Sequence, residues 1–398
     1  MSGVFTVPDK PPWTKIQWYQ SSSVPRIQSN DDIFLLKGEW QEDSNQYIES
    51  LKETIQPYDK TEVWDLAKRI TNPYELVSTF SSRLPLPKST CCIRPLSRSF
   101  FKMIEIIKHL DFFTRHSKVK KLRSLHICEG PGGFIEAFLN RAENARVKVH
   151  NVYGMTLKST NSIIPGWRRA QQFLQRNPVV QLVYGTGTGD IYEEENQTIL
   201  ANTCSLGVQF ITADGGFDFS EDFHAQEKSV LRLLVNSALI ILRCLAEDGD
   251  CVLKLFDIQS QATRDFVYVL STCFSSWTLY KPITSRPCNS EWYFLGKSAY
   301  RTRTVQINVL TEMRNILSTE DSSIQRVVKV NPIQDLLITL QKDRLSVQET
   351  ALKEVLDFCK QLEREPIDYN AKWESHRKET IHWCHSFGMP TNHRVTNL

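Results

Sequence analysis

What this sequence lacks narrows it before anything it contains. Its ten cysteines include no CxxC pair, and the adjacent Cys91 and Cys92 cannot supply finger or ribbon ligand spacing, which excludes the common structural zinc classes. No signal-peptide pattern opens the chain, so the cysteines are expected to be reduced thiols in an intracellular protein. Long hydrophobic runs are missing: the most apolar helical stretch, residues 231–245, is interrupted by Arg232 and Arg243 and is too short and charged to span a bilayer. No membrane partner is expected. Charge of one sign is scarce as well, with 48 Lys and Arg against 45 Asp and Glu and a net charge of +3, so any nucleic-acid surface has to arise from local clustering. Internal repeats and low-complexity tracts are absent, which removes solenoids and propellers.

What is there is a globular composition, 41% apolar and 23% charged over 398 residues, enough for one large domain with additions or for two domains. Its most informative stretch is LHICEGPGGFIEAF, residues 125–138. An apolar run with a β-branched Ile127 meets a Gly-Pro-Gly-Gly turn and continues into an apolar-periodic helix, a strand–loop–helix junction of the kind that cradles a ligand. The glycine spacing is not that of dinucleotide binders, and no Lys-Ser/Thr pair follows as a phosphate-binding loop requires.

Residues 1–90 read as an accessory N-terminal segment with helices around 43–55 and 61–81, and with Trp13, Trp18 and Tyr19 more plausibly pinning an arm to the core than stacking on bases. Phe100, Phe101, Ile104, Ile107 and Leu110 recur at helical spacing, which predicts an amphipathic helix over 94–113 carrying Lys102. Strands are predicted at 148–154, 179–185, 208–214, 250–256, 277–283 and 291–297, and helices at 167–176, 223–245 and 261–273. This alternation predicts an open, mostly parallel α/β sheet with an antiparallel hairpin at its edge. From about residue 300 the pattern turns helical, with helices expected over 305–318, 332–343, 346–363 and 371–386, giving domains of 1–90, 91–300 and a helical extension of 301–398. His376, His382, Cys384 and His385 lie close together there, but without further ligand spacing no metal site is expected.

In such a sheet ligands sit beyond the carboxyl ends of the strands, which makes Asp214, Lys254, Glu291 and Asp190 candidates. Each has a plain alternative: strand-end aspartates cap helices, and Lys254 could snorkel from an edge. Joined by Lys102, three of them also suit a chemistry that needs them, a charged set around a hydroxyl that must lose its proton while attacking an electrophile.

The segments SRSFFKM, CEGPGGFIEAF, GTGDI, TADGGFDF, CVLKLFD and KPITSRPCNSEWY, in this order, resemble the FtsJ/RrmJ-like ribose 2′-O-methyltransferases, and most closely the Adrift-type mRNA cap enzymes of eukaryotes and large DNA viruses. The resemblance covers roughly residues 94–297 and implies a Rossmann-like methyltransferase sheet. It places the family's Lys-Asp-Lys-Glu tetrad on Lys102, Asp214, Lys254 and Glu291, with Lys254 removing the 2′-hydroxyl proton. It implies S-adenosylmethionine along Glu129, Gly130, Pro131, Gly132, Gly133, Phe134 and Ile135, with Asp190 near its adenosine and Asp214 near its sulfonium. RNA contact is implied at Asn289 and at His224, Ala225 and Gln226, and basic residues at Arg94, Arg98, 118–123, Lys158, Arg168 and Arg169, with Trp167 among them, are candidates for phosphates and bases. The substrate implied is a capped mRNA 5′ end, in the nucleus for a cellular enzyme or in cytoplasmic factories for a viral one. Methylation of uncapped ribosomal or transfer RNA, and a catalytically silent RNA-binding scaffold, are the alternatives. The C-terminal helices are the candidate docking place for a protein partner.

Overall fold

The computed structural model describes residues 16–23, 25–27, 29–37, 51, 53–59, 61–79, 86–161, 164–216, 226–319, 323–364 and 370–392. Its strands are β1 (Tyr19–Gln20), β2 (Ile33–Lys37), β3 (Leu122–Ile127), β4 (Val149–Met155), β5 (Val180–Leu182), β6 (Val208–Ala213), β7 (Leu245–Leu255), β8 (Phe274–Tyr280), β9 (Trp292–Ala299) and β10 (Ile324–Val328). An eight-stranded sheet runs in the order β1-β8-β9-β7-β6-β3-β4-β5. From β7 through β6, β3 and β4 to β5 every pairing is parallel, whereas β9 runs antiparallel to both of its neighbours. The open, mostly parallel α/β sheet expected from the alternation is therefore present.

The antiparallel hairpin β8–β9 lies at the end of the sheet as expected, with the order of its two strands now defined. Within it β9 is the inner strand, between β7 and β8, and the two-residue β1 covers the outer side of β8. The reason is legible in β9 itself: Trp292, Tyr293, Phe294 and Leu295 are all buried, a continuous apolar run that needs cover on both faces. Tyr19 of β1 stacks on Trp277 at 4.9 Å, and Lys297 sits 3.7 Å over the Trp18 ring, so this arm is pinned to the core. Trp13 and most of the helix expected over 43–55 lie outside the described residues.

The chain leaves β3 toward β4 and β5 on one side and returns to β6 and β7 on the other, so the topological switch point falls between β3 and β6. One apolar core, built on the helices Gln226–Cys244, Gln261–Ser271 and Thr304–Leu317, fills one side of the sheet. A second, built on Ser99–Leu110 and Gly133–Asn144 and closed by Trp383, Cys384 and Phe387, fills the other. The helix Glu194–Thr203, unforeseen because EENQTILANT carries little apolar periodicity, connects β5 to β6.

The flanking regions depart further from the simple pattern. The helix expected over 61–81 ends at Ile70, because Pro73 cannot continue it and Asn72 turns to bond Glu75 at 2.9 Å. The stretch beyond 300 is not purely helical: β10 pairs antiparallel with β2. The helices expected over 332–343 and 346–363 are one, Gln334–Arg364, followed by Asn370–Ser386. Their sequence offers no breaker between Asp343 and Ser346, and the apolar face continues through Leu337, Leu345, Leu352 and Val355. That helix packs on Glu62–Ile70 through Leu352, Val355, Leu356, Trp64 and Ala67. No helix among the described residues is long and apolar enough to cross a membrane.

Candidate active site

Three chain segments end at one rim of the switch point. Ile127 and Ala213 terminate neighbouring parallel strands, and the Asp214 amide donates to the Ile127 carbonyl at 3.4 Å. Because β9 is antiparallel, its first residue lies opposite the last of β7, with Trp292 paired to Leu255 and Tyr293 to Lys254. This reversal brings Glu291 to the rim that the parallel strands reach with their carboxyl ends. The helix Ser99–Leu110 supplies Lys102 from the face of the sheet.

The four charged residues form one connected set. Lys102 Nζ donates to Glu291 Oε1, Lys254 Nζ lies 3.7 Å from Glu291 Oε2, and Lys254 Nζ lies 3.6 Å from Asp214 Oδ1. Tyr293 Oη donates to Asp214 Oδ1 at 3.0 Å, and Ser285 Oγ to Glu291 Oε1 at 2.6 Å. Glu291 is buried, which would raise its pKa, but Lys102, Lys254 and Lys281 outweigh burial and hold it well below the usual carboxylate range. Burial alone would lower the Lys254 pKa; Asp214 and Glu291 reverse that and hold it above the ordinary lysine value. The ammonium therefore keeps its proton at neutral pH until a positive charge beside Asp214 offsets the carboxylates.

The glycine loop lies alongside. Gly132 sits at φ +106° with the Trp167 ring 3.3 Å from where a Cβ would stand, and a Cβ on Gly133 would come within 2.3 Å of both Ser97 Oγ and Ser99 Oγ. These glycines admit the close approach of neighbouring parts of the protein. The helix N-terminus is likewise taken: Glu129 Oε1 accepts from the Phe134 amide at 2.6 Å. Glu129 Oε2 is buried without a hydrogen-bond partner, and burial followed by the nearby Asp214 raises this carboxyl well above its ordinary pKa. An orphaned, buried carboxyl oxygen of this kind suits a cationic group, as on an amino-acid-bearing methyl donor. The segment from Gly185 to Asp190 closes the other side, with the Lys158 backbone amide donating to the Thr188 carbonyl at 2.7 Å and Asp190 Oδ1 accepting from the Tyr192 amide at 2.8 Å.

Lys102, Asp214, Lys254 and Glu291 are thus brought together, with Glu129 and Asp190 near Asp214 or Cys128 and Asn289 exposed two residues before Glu291. His224 and Ala225 lie outside the described residues, and of Gln226 only the backbone, at the start of its helix, is described. Several basic candidates are elsewhere. The run 118–123 leads into the start of β3 at the opposite rim, where Arg123 donates to the Leu206 and Gly207 carbonyls at 2.9 Å. Arg98 is spent on the Ser78 and Glu75 carbonyls, and Trp167 is buried under Gly132 and Gly154 rather than presenting a stacking face.

Two buried carboxylates that the sequence reading passed over hold the loop 281–291. Glu105, one turn after Lys102, accepts from Tyr280 Oη at 2.7 Å, the Ile283 and Thr284 amides at 2.7 and 2.9 Å, Thr284 Oγ1 at 2.6 Å and Trp383 Nε1 at 3.1 Å. Glu75 pairs with Arg69, Arg98 and Arg286 at 3.2, 3.4 and 3.1 Å, and despite burial these cations hold it down to about 2. The signal for Glu105 was available: it lies on the apolar stripe of its helix, four residues after Phe101, where a carboxylate needs partners. Lys281, also buried, is pushed down to about 7 by desolvation, partly opposed by Glu291.

A sequence profile of FtsJ-like methyltransferases matches residues 95–299, just over half of the 398-residue chain. The chain belongs to the FtsJ-like methyltransferase family. Cap-specific mRNA (nucleoside-2'-O-)-methyltransferase 1 of Homo sapiens is 32% identical over 255 residues, covering 58% of this chain and 29% of the relative. The Danio rerio protein of the same name is 26% identical over 419 residues, covering 96% of this chain and 48% of the relative. The chain spans less than half the length of these curated relatives. A solved ribosomal RNA methyltransferase from Plasmodium falciparum aligns at 18% identity and a TM-score of 0.36, covering 51% of this chain and 97% of that one.

Proposed function

We propose that this chain transfers a methyl group from S-adenosylmethionine to the ribose 2′-hydroxyl of a nucleotide near the 5′ cap of mRNA. The observation that carries the proposal is the continuous Lys102–Glu291–Lys254–Asp214 set at the switch-point rim, beside the Glu129 loop. Family membership implies the methyl donor, and the curated relatives named for cap-specific mRNA methylation favour the capped substrate.

In this reading Glu129 and the loop to Ile135 face the donor's amino-acid part, Asp190 its nucleoside and Asp214 its positive charge. The donor supplies an electrophilic methyl group. Lys254 accepts the ribose hydroxyl proton, Glu291 holds Lys254 against Lys102, and Asn289 orients the acceptor strand. His224, Ala225 and Gln226 belong to the acceptor side as well.

The test is transfer of a labelled methyl group to matched short RNAs with and without a complete cap, followed by mass mapping of the modified nucleotide. Transfer to a cap-proximal ribose of the capped RNA alone is expected. Equal transfer to both RNAs would replace the cap assignment by a structured-RNA substrate, and no transfer to either would leave an RNA-binding scaffold.

A further inference from the structure

The loop that delivers Glu291 is held by its main-chain carbonyls, one after another. Gln348 Nε2 donates to the Cys288 carbonyl at 3.1 Å, Lys281 Nζ to that of Asn289 at 2.6 Å, Arg344 to that of Ser290 at 3.0 Å, and Lys281 Nζ again to that of Glu291 at 2.9 Å. Two of these three donor residues belong to the helix Gln334–Arg364, far outside the family-matched region 95–299. Gln348 and Arg344 are 7% and 4% exposed, so these bonds are shielded from solvent.

The same helix reaches the other half of the site. Arg344 pairs with Asp257, Gln341 Nε2 donates to Asp257 Oδ1 at 3.1 Å, and Gln341 Oε1 accepts from the Ile258 amide at 3.4 Å. Asp257 lies three residues beyond Lys254. Gln341, Arg344 and Gln348 are spaced i, i+3 and i+7, one face of one helix laid along the two segments that carry Lys254 and Glu291. Arg344 Nη1 also donates to Gln348 Oε1 at 2.9 Å, and the Arg344 guanidinium lies 5.3 Å from the Trp292 ring centre, at the first residue of β9. Cys288 itself packs into the cluster formed by Leu352, Val355 and Trp64.

We infer that Arg344 and Gln348 are positioning residues of the acceptor site: the C-terminal helix sets the height of the Asn289–Glu291 segment above the sheet, and with it the placement of Glu291 against both lysines. The helix takes the Cys288 and Ser290 carbonyls on either side of Asn289, and Lys281 takes those of Asn289 and Glu291, so the segment that presents Glu291 is held at every residue. The inference rests on the reading of Glu291 and Asn289 as acceptor-side groups.

The experiment uses the full chain with Gln348→Met, which removes the donor while keeping length and apolar bulk, and with Arg344→Lys. For Gln348→Met, kcat/KM for capped RNA is expected to fall about tenfold or more, as sub-ångström misplacement of reacting groups does. The dissociation constant of the methyl donor should stay within about twofold, and amides in 286–291 should exchange hydrogen faster. Arg344→Lys, which keeps the charge but cannot hold Asp257, Gln348 and the Ser290 carbonyl together, should lower kcat/KM in the same direction, again with donor affinity kept. Unchanged kcat/KM together with unchanged exchange in Gln348→Met would overturn the inference, as would loss of donor affinity in step with activity, which marks a general structural role. If the parent chain fails to methylate capped RNA, the functional reading falls by itself, and the exchange measurement still decides whether Gln348 holds the loop; a Gln348→Met chain that does not fold transfers the same measurements to Gln348→Leu and Arg344→Met.

Discussion

At the scale of single residues the site turns on Lys254 and on how its charge is balanced. Two carboxylates stand within 3.7 Å of its Nζ, and together they hold its pKa above the ordinary lysine value. If this amine takes the proton from the acceptor, Lys254→Met should reduce methyl transfer by roughly 10²- to 10⁴-fold, the usual contribution of general base catalysis. Donor affinity measured by titration calorimetry should hold, because the Glu129 loop is untouched; residual turnover near the parent rate would remove Lys254 from the base role. Glu291→Gln makes a second expectation with a definite sign. Removing one of the two negative charges lowers the Lys254 pKa, so the pH profile of kcat/KM should move its rising limb to lower pH even as the maximal rate drops. A limb that stays in place would mean that the titrating group is not Lys254.

Elements explain which of these residues could be read from the sequence and which could not. The rim was legible because strands ending in a polar residue, such as TAD at 212–214 and LKLFD at 253–257, announce where the sheet stops, and a parallel sheet places those ends together. The position of β9 between β7 and β8 was not, since a hairpin link fits either order of its two strands and only burial on both faces decides. Glu105 escaped because its partners are remote: Tyr280 lies 175 positions away and Trp383 lies 278 away. Yet this one carboxylate ties the Lys102 helix, the 281–291 loop and the helix Asn370–Ser386 to each other. Glu105→Ala would strand the Ile283 and Thr284 amides and the Tyr280 and Trp383 donors in a dry interior. At roughly 1–3 kcal/mol for each stranded group, with partial relief by water, the total loss should reach at least about 3 kcal/mol in denaturant unfolding. A loss below about 1 kcal/mol would show that the loop does not depend on it.

For the whole molecule, the question is whether the two flanks are appendages or part of one cooperative unit, and Glu75 offers a way to measure it. It sits in the N-terminal flank, bonds to Asn72 beside it, and holds Arg98 at the start of the Lys102 helix and Arg286 in the loop 281–291. Its pKa is held down to about 2 against an ordinary 4.5, so the folded state binds fewer protons than the unfolded state between those values. Its contribution to stability is therefore complete above pH 4.5 and is lost as pH falls toward 2, on the order of 3 kcal/mol in all. Glu75→Gln should remove that acid limb: the stability gap between parent and variant, large at neutral pH where three arginines lose their shared counter-charge, should narrow as pH drops below 4.5. If flank and core fold as one unit, tryptophan fluorescence and far-ultraviolet circular dichroism will report the same midpoint at every pH, and both will shift together in the variant. Separate transitions, with only one of them sensitive to the substitution, would instead make the N-terminal flank an independent piece. In that case Arg286, and with it the loop bearing Glu291, would be steadied by the sheet and the C-terminal helices alone.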